Sequence, residues 1–183
     1  MEHLTLEALR AGLLSVQQSP TDEGRLEMIV ARPAADERQV WETAELHAAH
    51  GLQGDSWEQR GSSSTADGSA HPERQITLIN SRAIQLIAQS RERWPLAGDQ
   101  LFVDLNLSPE NLPPGQRLQV GTAVLEITDQ EHRGCLKFAT RFGKDALKFV
   151  NQDGWPLRTR GIYARVVQTG QITAGDLITK VSK

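Results

Sequence analysis

Cysteine is nearly absent from this chain, because Cys135 is the only one among 183 residues. A single thiol cannot form an internal disulfide, and it cannot build a zinc or iron–sulfur site that needs several cysteines. Long apolar runs are also missing, since no window approaches the roughly 18 apolar residues that span a bilayer. The first twenty residues lack the cationic start and apolar centre of a signal peptide. These absences predict a cytoplasmic protein with no membrane association.

An excess of positive charge is lacking as well. The chain has 20 lysines and arginines against 23 acidic residues, a formal net charge of −3. A molecule with this balance has no general attraction to nucleic acid or to an anionic membrane. Its hydrophobic content of 38% is enough for one domain with a real core. We therefore expect a single compact unit whose basic sites, if it has any, are local.

The N-terminal segment and the middle of the chain show helical and loop patterns. Hydrophobic spacing predicts a helix over residues 5–17 that Pro20 cannot continue. We interpret 1–20 as an accessory helix and 21–183 as the main domain. Residues 58–73 are polar and rich in serine and glycine, which predicts a flexible surface loop. Asn80 or Ser81 can cap a second helix that should end before Pro95.

Most of the remaining chain consists of short apolar runs separated by glycine and proline. The predicted strands cover 25–33, 40–46, 74–80, 100–107, 116–120, 122–128, 161–170 and 171–181. Closely spaced short strands are typical of antiparallel meanders that close on themselves. The predicted fold is a β-rich α+β domain, a closed or partly open antiparallel β-barrel with peripheral helices.

The lone cysteine lies in the segment EHRGCLKFATRFG, residues 131–143. It stands where a strand passes into a helical pattern over 135–150, which Gly143 divides into two short helices. Unpaired N–H groups at a helix N-terminus, together with Arg133 and Lys137, would favour the thiolate, the form that acts as nucleophile or metal ligand. The alternative is a buried cysteine that serves as a small apolar side chain.

Positive charge is concentrated around this cysteine. Residues 131–165 carry eight basic and three acidic side chains, whereas the rest of the chain carries twelve basic and twenty acidic ones. A basic island in an acidic molecule favours a compact anionic ligand over a polynucleotide. We interpret Lys144 and Lys148 as a solvated helix face. Arg158 and Arg160 alternate on entering a strand, which predicts that they share one face, where they would repel each other without an anion.

Other catalytic patterns are weak. The chain has no GxSxG, HExxH or GxxxxGK sequence. His47 and His50 could ligate a metal from one helical turn, although the spacing favours two solvent-facing histidines. His132 and Cys135 could form a nucleophile–base pair, but residues three apart across such a turn seldom align for hydrolysis.

The sequence resembles the MOSC domain, named for the C-terminal domain of molybdenum cofactor sulfurases. The resemblance rests on HRGCLKFATRFGKDALKFVN, LRTRGIYARVV and GQITAGDLI, preceded by GLQGDSW, RQITLIN and WPLAGDQLFVDLNLS. It covers roughly Leu26 to Val181, and the chain would be a small stand-alone member.

The resemblance implies a barrel-like fold and a pterin-based molybdenum cofactor held near the cysteine. In relatives that reduce N-hydroxylated compounds the matching cysteine ligates molybdenum, so Cys135 is the expected metal ligand and catalytic residue. By the same analogy, the candidates for contacts with the pterin, its phosphate or the metal surroundings are Arg74, Asn106, His132, Lys137, Arg141, Asn151, Arg158 and Arg160. Molybdenum is a soft partner that suits a thiolate.

The resemblance leaves two functions open, besides a protein that keeps the fold without catalysis. The protein could be a molybdenum-dependent oxidoreductase acting on a small-molecule substrate or a handler of cofactor and sulfur. Alternatively, it could be a cofactor-free sulfur carrier that forms a persulfide on Cys135 for delivery to a partner. The chain shows no pyridoxal-phosphate, flavin, haem or iron–sulfur motif. We therefore expect a separate PLP-dependent cysteine desulfurase or a separate redox protein as partner.

Overall fold

The computed structural model describes residues 2–182, and short strands dominate this part of the chain. The strands are β1 Gly24–Ala31, β2 Gln39–Trp41, β3 Thr43–His47, β4 Gly51–Leu52, β5 Ile76–Asn80, β6 Leu101–Asp104, β7 Arg117–Val120, β8 Ala123–Ile127, β9 Ile162–Gln168, β10 Gly170–Thr173 and β11 Leu177–Val181. The helices are α1 Leu6–Ala11, α2 Leu13–Gln17, α3 Trp57–Arg60, α4 Ser81–Ala88, α5 Leu136–Phe142 and α6 Lys144–Asn151. Single 3-10 segments cover Pro72–Arg74, Arg91–Ala97 and Trp155–Leu157.

Seven of the strands close into a barrel. The order is β11-β7-β8-β9-β5-β6-β1, and β1 pairs with β11 to complete the ring. Strand β2 pairs antiparallel with the last residues of β1. Strands β10, β3 and β4 form a small separate sheet. The predicted β-barrel with peripheral helices is confirmed.

The barrel is mixed, whereas the sequence predicted antiparallel pairing throughout. Strands β5 and β6 run parallel, with Leu78 opposite Leu101, Ile79 opposite Phe102 and Asn80 opposite Val103. Parallel neighbours need a crossover connection, usually helical. Here α4 and the following 3-10 segment provide it. The Asn80 side chain caps α4 by accepting from Ala83 N at 2.9 Å, and α4 ends before Pro95 as predicted.

Strands β5 and β6 and the second half of β1 are buried on both faces. Along β5 and β6, Leu78, Leu101 and Val103 belong to the barrel interior, and Ile79 and Phe102 belong to a second core beneath the helices. The helices contribute their apolar residues to this second core, among them Leu9, Ile84, Phe138, Phe142 and Phe149. A bulge between Leu26 and Met28 shifts the alternation in β1, so Leu26 and Ile29 face the interior although they are an odd number of residues apart.

Two local predictions were close but incomplete. The predicted N-terminal helix is two helices that meet at Gly12. The polar segment 58–73 begins inside α3 and ends in the 3-10 segment Pro72–Arg74, so its non-helical part is 61–71. The division of the chain at residue 20 stays a prediction. In the structure, α1 packs on α6 and Leu9 belongs to the second core. None of the described helices is long and apolar enough to cross a membrane.

Candidate functional site

Four arginines converge on one cavity of about 300 Å³. We call it the arginine cavity; it is lined by Arg32, Trp57, Arg60, Gly61, Ser62, His71, Arg74, Thr77, Gly98, His132, Arg160 and Tyr163. The strands β1, β5 and β9 and their flanking loops place these side chains. No carboxylate belongs to this lining, so the walls of the cavity are cationic and aromatic.

Two of the four guanidiniums are neutralised by buried carboxylates. Arg32 binds Asp55 through Nε and Nη2 at 2.8 and 2.9 Å, and both side chains are buried. Arg160 donates to Asp99 Oδ2 at 2.6 Å. These pairs add hydrogen-bond donors to the wall and little net charge.

The other two guanidiniums supply uncompensated charge. Arg74 donates to Gln130 Oε1 at 3.0 and 3.2 Å and to Ser64 Oγ at 3.4 Å, all neutral acceptors. Arg60 donates its backbone N–H to the Ser56 carbonyl, but its guanidinium forms no hydrogen bond or ion pair with the residues that the structure describes. Desolvation, followed by the nearby Arg32, lowers the pKa of Arg60. A cavity with two unpaired cations favours an anionic occupant.

Beneath the cavity lies a buried trio of Asp99, His132 and Arg160. Their polar atoms do not satisfy each other fully: Asp99 Oδ1 is 3.6 Å from His132 Nδ1, and neither atom has a hydrogen-bond partner among the described residues. Arg160 Nε is also buried without a partner. Buried polar atoms are seldom left unpaired unless a site needs them for a ligand or a water.

Burial controls the ionisation of this trio. Desolvation first, and then the charge of Arg160, lower the pKa of His132 well below its usual value, so the imidazole is neutral near pH 7. Desolvation raises the pKa of Asp99, and the positive charge of Arg160 opposes this rise. The Tyr163 ring lies 4.5 Å from the His132 ring, and burial raises the pKa of the Tyr163 hydroxyl.

A second depression adjoins the arginine cavity. We call it the outer cleft; its volume is about 450 Å³ and its lining is Arg32, Ala34, Ala35, Asp36, Arg38, Ser56, Gln59, Arg60, Gly98, Lys137 and Arg141. Arg32, Arg60 and Gly98 line both spaces, so the cavity and the cleft meet at these residues.

Cys135 is exposed and forms the N-cap of α5. It lines neither the arginine cavity nor the outer cleft. Two of its neighbours in α5 contact this region: Lys137 lines the cleft, and the centre of the Phe138 ring lies 5.0 Å from the guanidinium carbon of Arg160, a residue that lines the cavity. The cysteine therefore stands beside the cationic region at the start of the helix that borders it, and the predicted pair of short helices is confirmed.

Neighbouring residues of Cys135 are engaged elsewhere. Arg133 pairs with Glu131 at 3.0 Å and stacks 3.8 Å above Trp155. Asn151 holds the backbone of Gly134 from both sides, accepting from its N–H at 2.9 Å and donating to its carbonyl at 3.1 Å. These contacts hold the loop before the cysteine in place.

The structure brings together part of the predicted residue set. Arg74, His132 and Arg160 line the arginine cavity, and Lys137 and Arg141 line the outer cleft. Asn106 lines neither space; its side chain accepts from Ser108 N and its carbonyl accepts from the Asn111 side chain.

Arg158 and Arg160 do not share a face, contrary to the prediction from alternation. Strand β9 begins only at Ile162, and Arg158 has a left-handed backbone with φ 49° at the end of a 3-10 turn. Its guanidinium donates to the carbonyls of Leu107 and Leu112, whereas that of Arg160 points to Asp99. Arg158 instead lines a third space of about 240 Å³ on the other side of His132.

Several lining residues escaped the sequence analysis. Arg32, Arg60 and Tyr163 lie far apart in the chain, and only the closure of the barrel brings them together. Asp55 and Asp99 belong to the segments GLQGDSW and WPLAGDQ, which carry part of the family resemblance. The Gly-Asp pair that the two segments share was the signal that could have pointed to these carboxylates. Among the described residues, no group of three or more His, Cys, Asp or Glu side chains could hold a metal ion.

Comparisons with solved structures place the fold in a known class. The YuaD protein from Bacillus subtilis superposes with a TM-score of 0.66 at 16% identity, covering 87% of this chain and 97% of that one. YiiM from Geobacillus stearothermophilus superposes with a TM-score of 0.57 at 16% identity, covering 87% of this chain and 75% of that one. YiiM from Escherichia coli superposes with a TM-score of 0.56 at 19% identity, covering 87% of this chain and 70% of that one. At these sequence identities the structural similarity shows a shared fold and nothing further.

The family follows from the sequence itself. The family model described as "MOSC domain" matches residues 65–179, and the chain belongs to the MOSC domain family, which is associated with molybdenum-cofactor-related proteins. The predicted family is thereby confirmed. A comparison with curated proteins finds no match.

Proposed function

We propose that the protein binds a molybdenum–pterin cofactor, with the anionic part of the cofactor in the arginine cavity and Cys135 as the protein ligand to the metal. The carrying observation is the convergence of four guanidiniums on one cavity, two of them without a carboxylate partner. A phosphate-bearing group fits this wall because guanidinium groups bind phosphate oxygens through paired, charge-assisted hydrogen bonds.

The buried polar atoms support the same occupant. Arg160 Nε and His132 Nδ1 are unpaired in the wall and floor of the cavity. Arg60 and Arg74 would balance the phosphate charge, and Trp57 and Tyr163 offer apolar and aromatic surface to a planar ring. When bound, the cofactor would supply two-electron redox chemistry at its metal. The chain itself would bind, orient and shield the cofactor.

Within this function two activities are open, reduction of N-hydroxylated compounds and handling of cofactor or sulfur. The chemistry of Cys135 suits both, since an exposed thiol is accessible to a soft metal and to a sulfane donor. A reductase would require electrons from a separate redox protein, and sulfur handling would require a separate desulfurase. We propose these as partner classes.

Cofactor content is the direct test. We expect protein expressed in a cofactor-producing host to contain molybdenum by elemental analysis and a fluorescent pterin after oxidative release. Arg74→Gln should lower both signals at least about tenfold, because one charge-assisted contact contributes about 1.5–3 kcal/mol. Cys135→Ala should lower molybdenum more than pterin. Arg25→Gln, an exposed arginine bonded to the Gly175 carbonyl, is the control. Wild-type protein with no more molybdenum than Cys135→Ala would refute the proposal.

A second candidate function is a sulfur carrier without cofactor. It is favoured by the exposure of Cys135, which lines neither the cavity nor the cleft. The thiolate of Cys135 would attack the outer sulfur of a desulfurase persulfide, form a new S–S bond and release the desulfurase cysteine as its thiolate. Incubation with a desulfurase and cysteine should then add one sulfur, about 32 Da, to wild type and nothing to Cys135→Ala. Unmodified wild-type protein would rule this function out.

A further inference from the structure

The outer cleft has a cationic character of its own, apart from the arginine cavity. Arg38 and Arg141 lie close together above Gly98: Arg38 Nη2 is 3.5 Å and Arg141 Nη1 is 3.7 Å from the point where a Cβ on Gly98 would sit. Lys137 lines the same space from the first turn of α5. Three cations on one small surface repel each other, which costs folding free energy unless an anion joins them.

The protein compensates this charge only in part. Arg141 pairs with Asp36 at 2.8 Å, but the Asp36 side chain is 69% exposed, which weakens the pair. Arg38 donates to the Glu37 carbonyl, and no described carboxylate forms an ion pair with it. Lys137 has no hydrogen-bond or ion-pair partner within residues 2–182.

An unpaired donor is already buried there. Arg38 Nε has no hydrogen-bond partner in the described chain and is inaccessible to solvent. Desolvation, followed by the charges of Arg141 and Arg32, lowers the pKa of Arg38, which agrees with a cation held among cations. The Nη2 of this half-buried guanidinium also has no hydrogen-bond partner in the described chain, and it lies beside Gly98 in the cleft lining, where it can donate to an oxygen of an anion.

The count of charges favours a dianion over a monoanion. Arg38 and Lys137 line the cleft, and neither side chain has a described carboxylate as ion-pair partner, which leaves two positive charges there. A carboxylate would leave most of this charge unbalanced, whereas a phosphate group carries close to two negative charges near pH 7. The volume of about 450 Å³ also leaves room for an organic group beside the phosphate.

We propose that the outer cleft binds the phosphate group of a small organic phosphate, a ligand separate from the occupant of the arginine cavity. Gly98 forms the boundary between the two spaces, and its lack of a side chain leaves a passage for the organic part. This binding is independent of the function proposed above.

The test is a calorimetric titration at constant ionic strength, with inorganic phosphate and glycerol phosphate as probes and acetate as the monoanion. We expect both phosphates to bind wild type and acetate to bind at least about tenfold more weakly. Arg38→Gln and Lys137→Gln should each weaken phosphate binding about tenfold or more, in line with one lost charge-assisted contact. Their controls are Arg25→Gln, an exposed arginine with a single carbonyl partner, and Lys148→Gln, an exposed lysine on α6.

Two further variants separate this inference from the proposed function. Arg74→Gln changes only the arginine cavity and should leave phosphate affinity for the cleft unchanged. Arg38→Gln should leave molybdenum and pterin content unchanged. Equal binding of acetate, phosphate binding that depends on Arg74 and not on Arg38 or Lys137, or loss of pterin in Arg38→Gln would each overturn the inference. Protein without molybdenum would refute the proposed function alone, because the titration still decides the cleft.

Discussion

Removal of the buried carboxylate Asp99 should destabilise the protein strongly. Asp99 is 0% exposed and Arg160 is 7% exposed, and the two share a hydrogen bond of 2.6 Å. In Asp99→Ala, the guanidinium of Arg160 would keep only the Ala97 carbonyl at 3.2 Å and the face of Phe138. Loss of one partner from a buried ion pair costs about 3–5 kcal/mol, because the remaining charge is buried and unpaired.

Urea denaturation of wild type, Asp99→Ala, Arg160→Met and the double variant measures this cost. We expect the double variant to be less destabilised than the sum of the single ones by about 2 kcal/mol, the range of direct coupling between contacting residues. The matched control is Asp153→Ala, which breaks a similar pair with Arg10 at 2.8 Å whose side chains are 24% and 52% exposed. It should cost about 1 kcal/mol or less. A loss below about 1 kcal/mol in Asp99→Ala, or additive single effects, would refute the reasoning.

Three further predictions concern the surroundings of the site. Because burial depresses the pKa of His132 in the folded state, the free energy of unfolding should fall as pH drops below 6.5, where only the unfolded imidazole takes up a proton. The slope is up to about 1.4 kcal/mol per pH unit, and His132→Gln should remove it; an unchanged slope contradicts the assignment. Gly161→Ala should destabilise by about 2 kcal/mol more than Gly175→Ala in thermal unfolding, since both have φ 102° but only the Cβ at 161 would lie 2.3 Å from a carbonyl of β5. Asn151→Ala should lower the free energy of unfolding by about 2 kcal/mol, because the N–H and carbonyl of Gly134 lose their partner, and unaltered urea stability would contradict this role.

Local patterns in the sequence predicted much of the architecture. The alternation of apolar and polar residues and the positions of glycine and proline located the barrel strands and the two helices that follow Cys135. Such patterns depend on neighbours in the chain, so one sequence displays them. The parallel pairing of β5 with β6 and the bulge in β1 were missed, because pairing direction and register depend on residues that are distant in the chain.

The candidate site was predictable only where its residues lie in recognisable segments. Arg74, His132 and Arg160 stood in segments that resemble the MOSC family, and all three line the arginine cavity. Arg32 and Arg60 stood in no basic cluster. The acidic partners Asp55 and Asp99 were counted only toward the net charge, although they decide which arginines remain available to an anion.

The sequence by itself determined the family, the β-rich class of the fold and the position of the single thiol at the start of a helix. The family follows from the resemblance of several motifs in their order along the chain, and the other two properties follow from periodicity and the positions of glycine and proline. The tertiary structure alone decided which cations converge, which are neutralised and which remain free. Charge interactions depend on distance and burial, and closure of the barrel sets both for residues more than a hundred positions apart, such as Arg32 and Arg160.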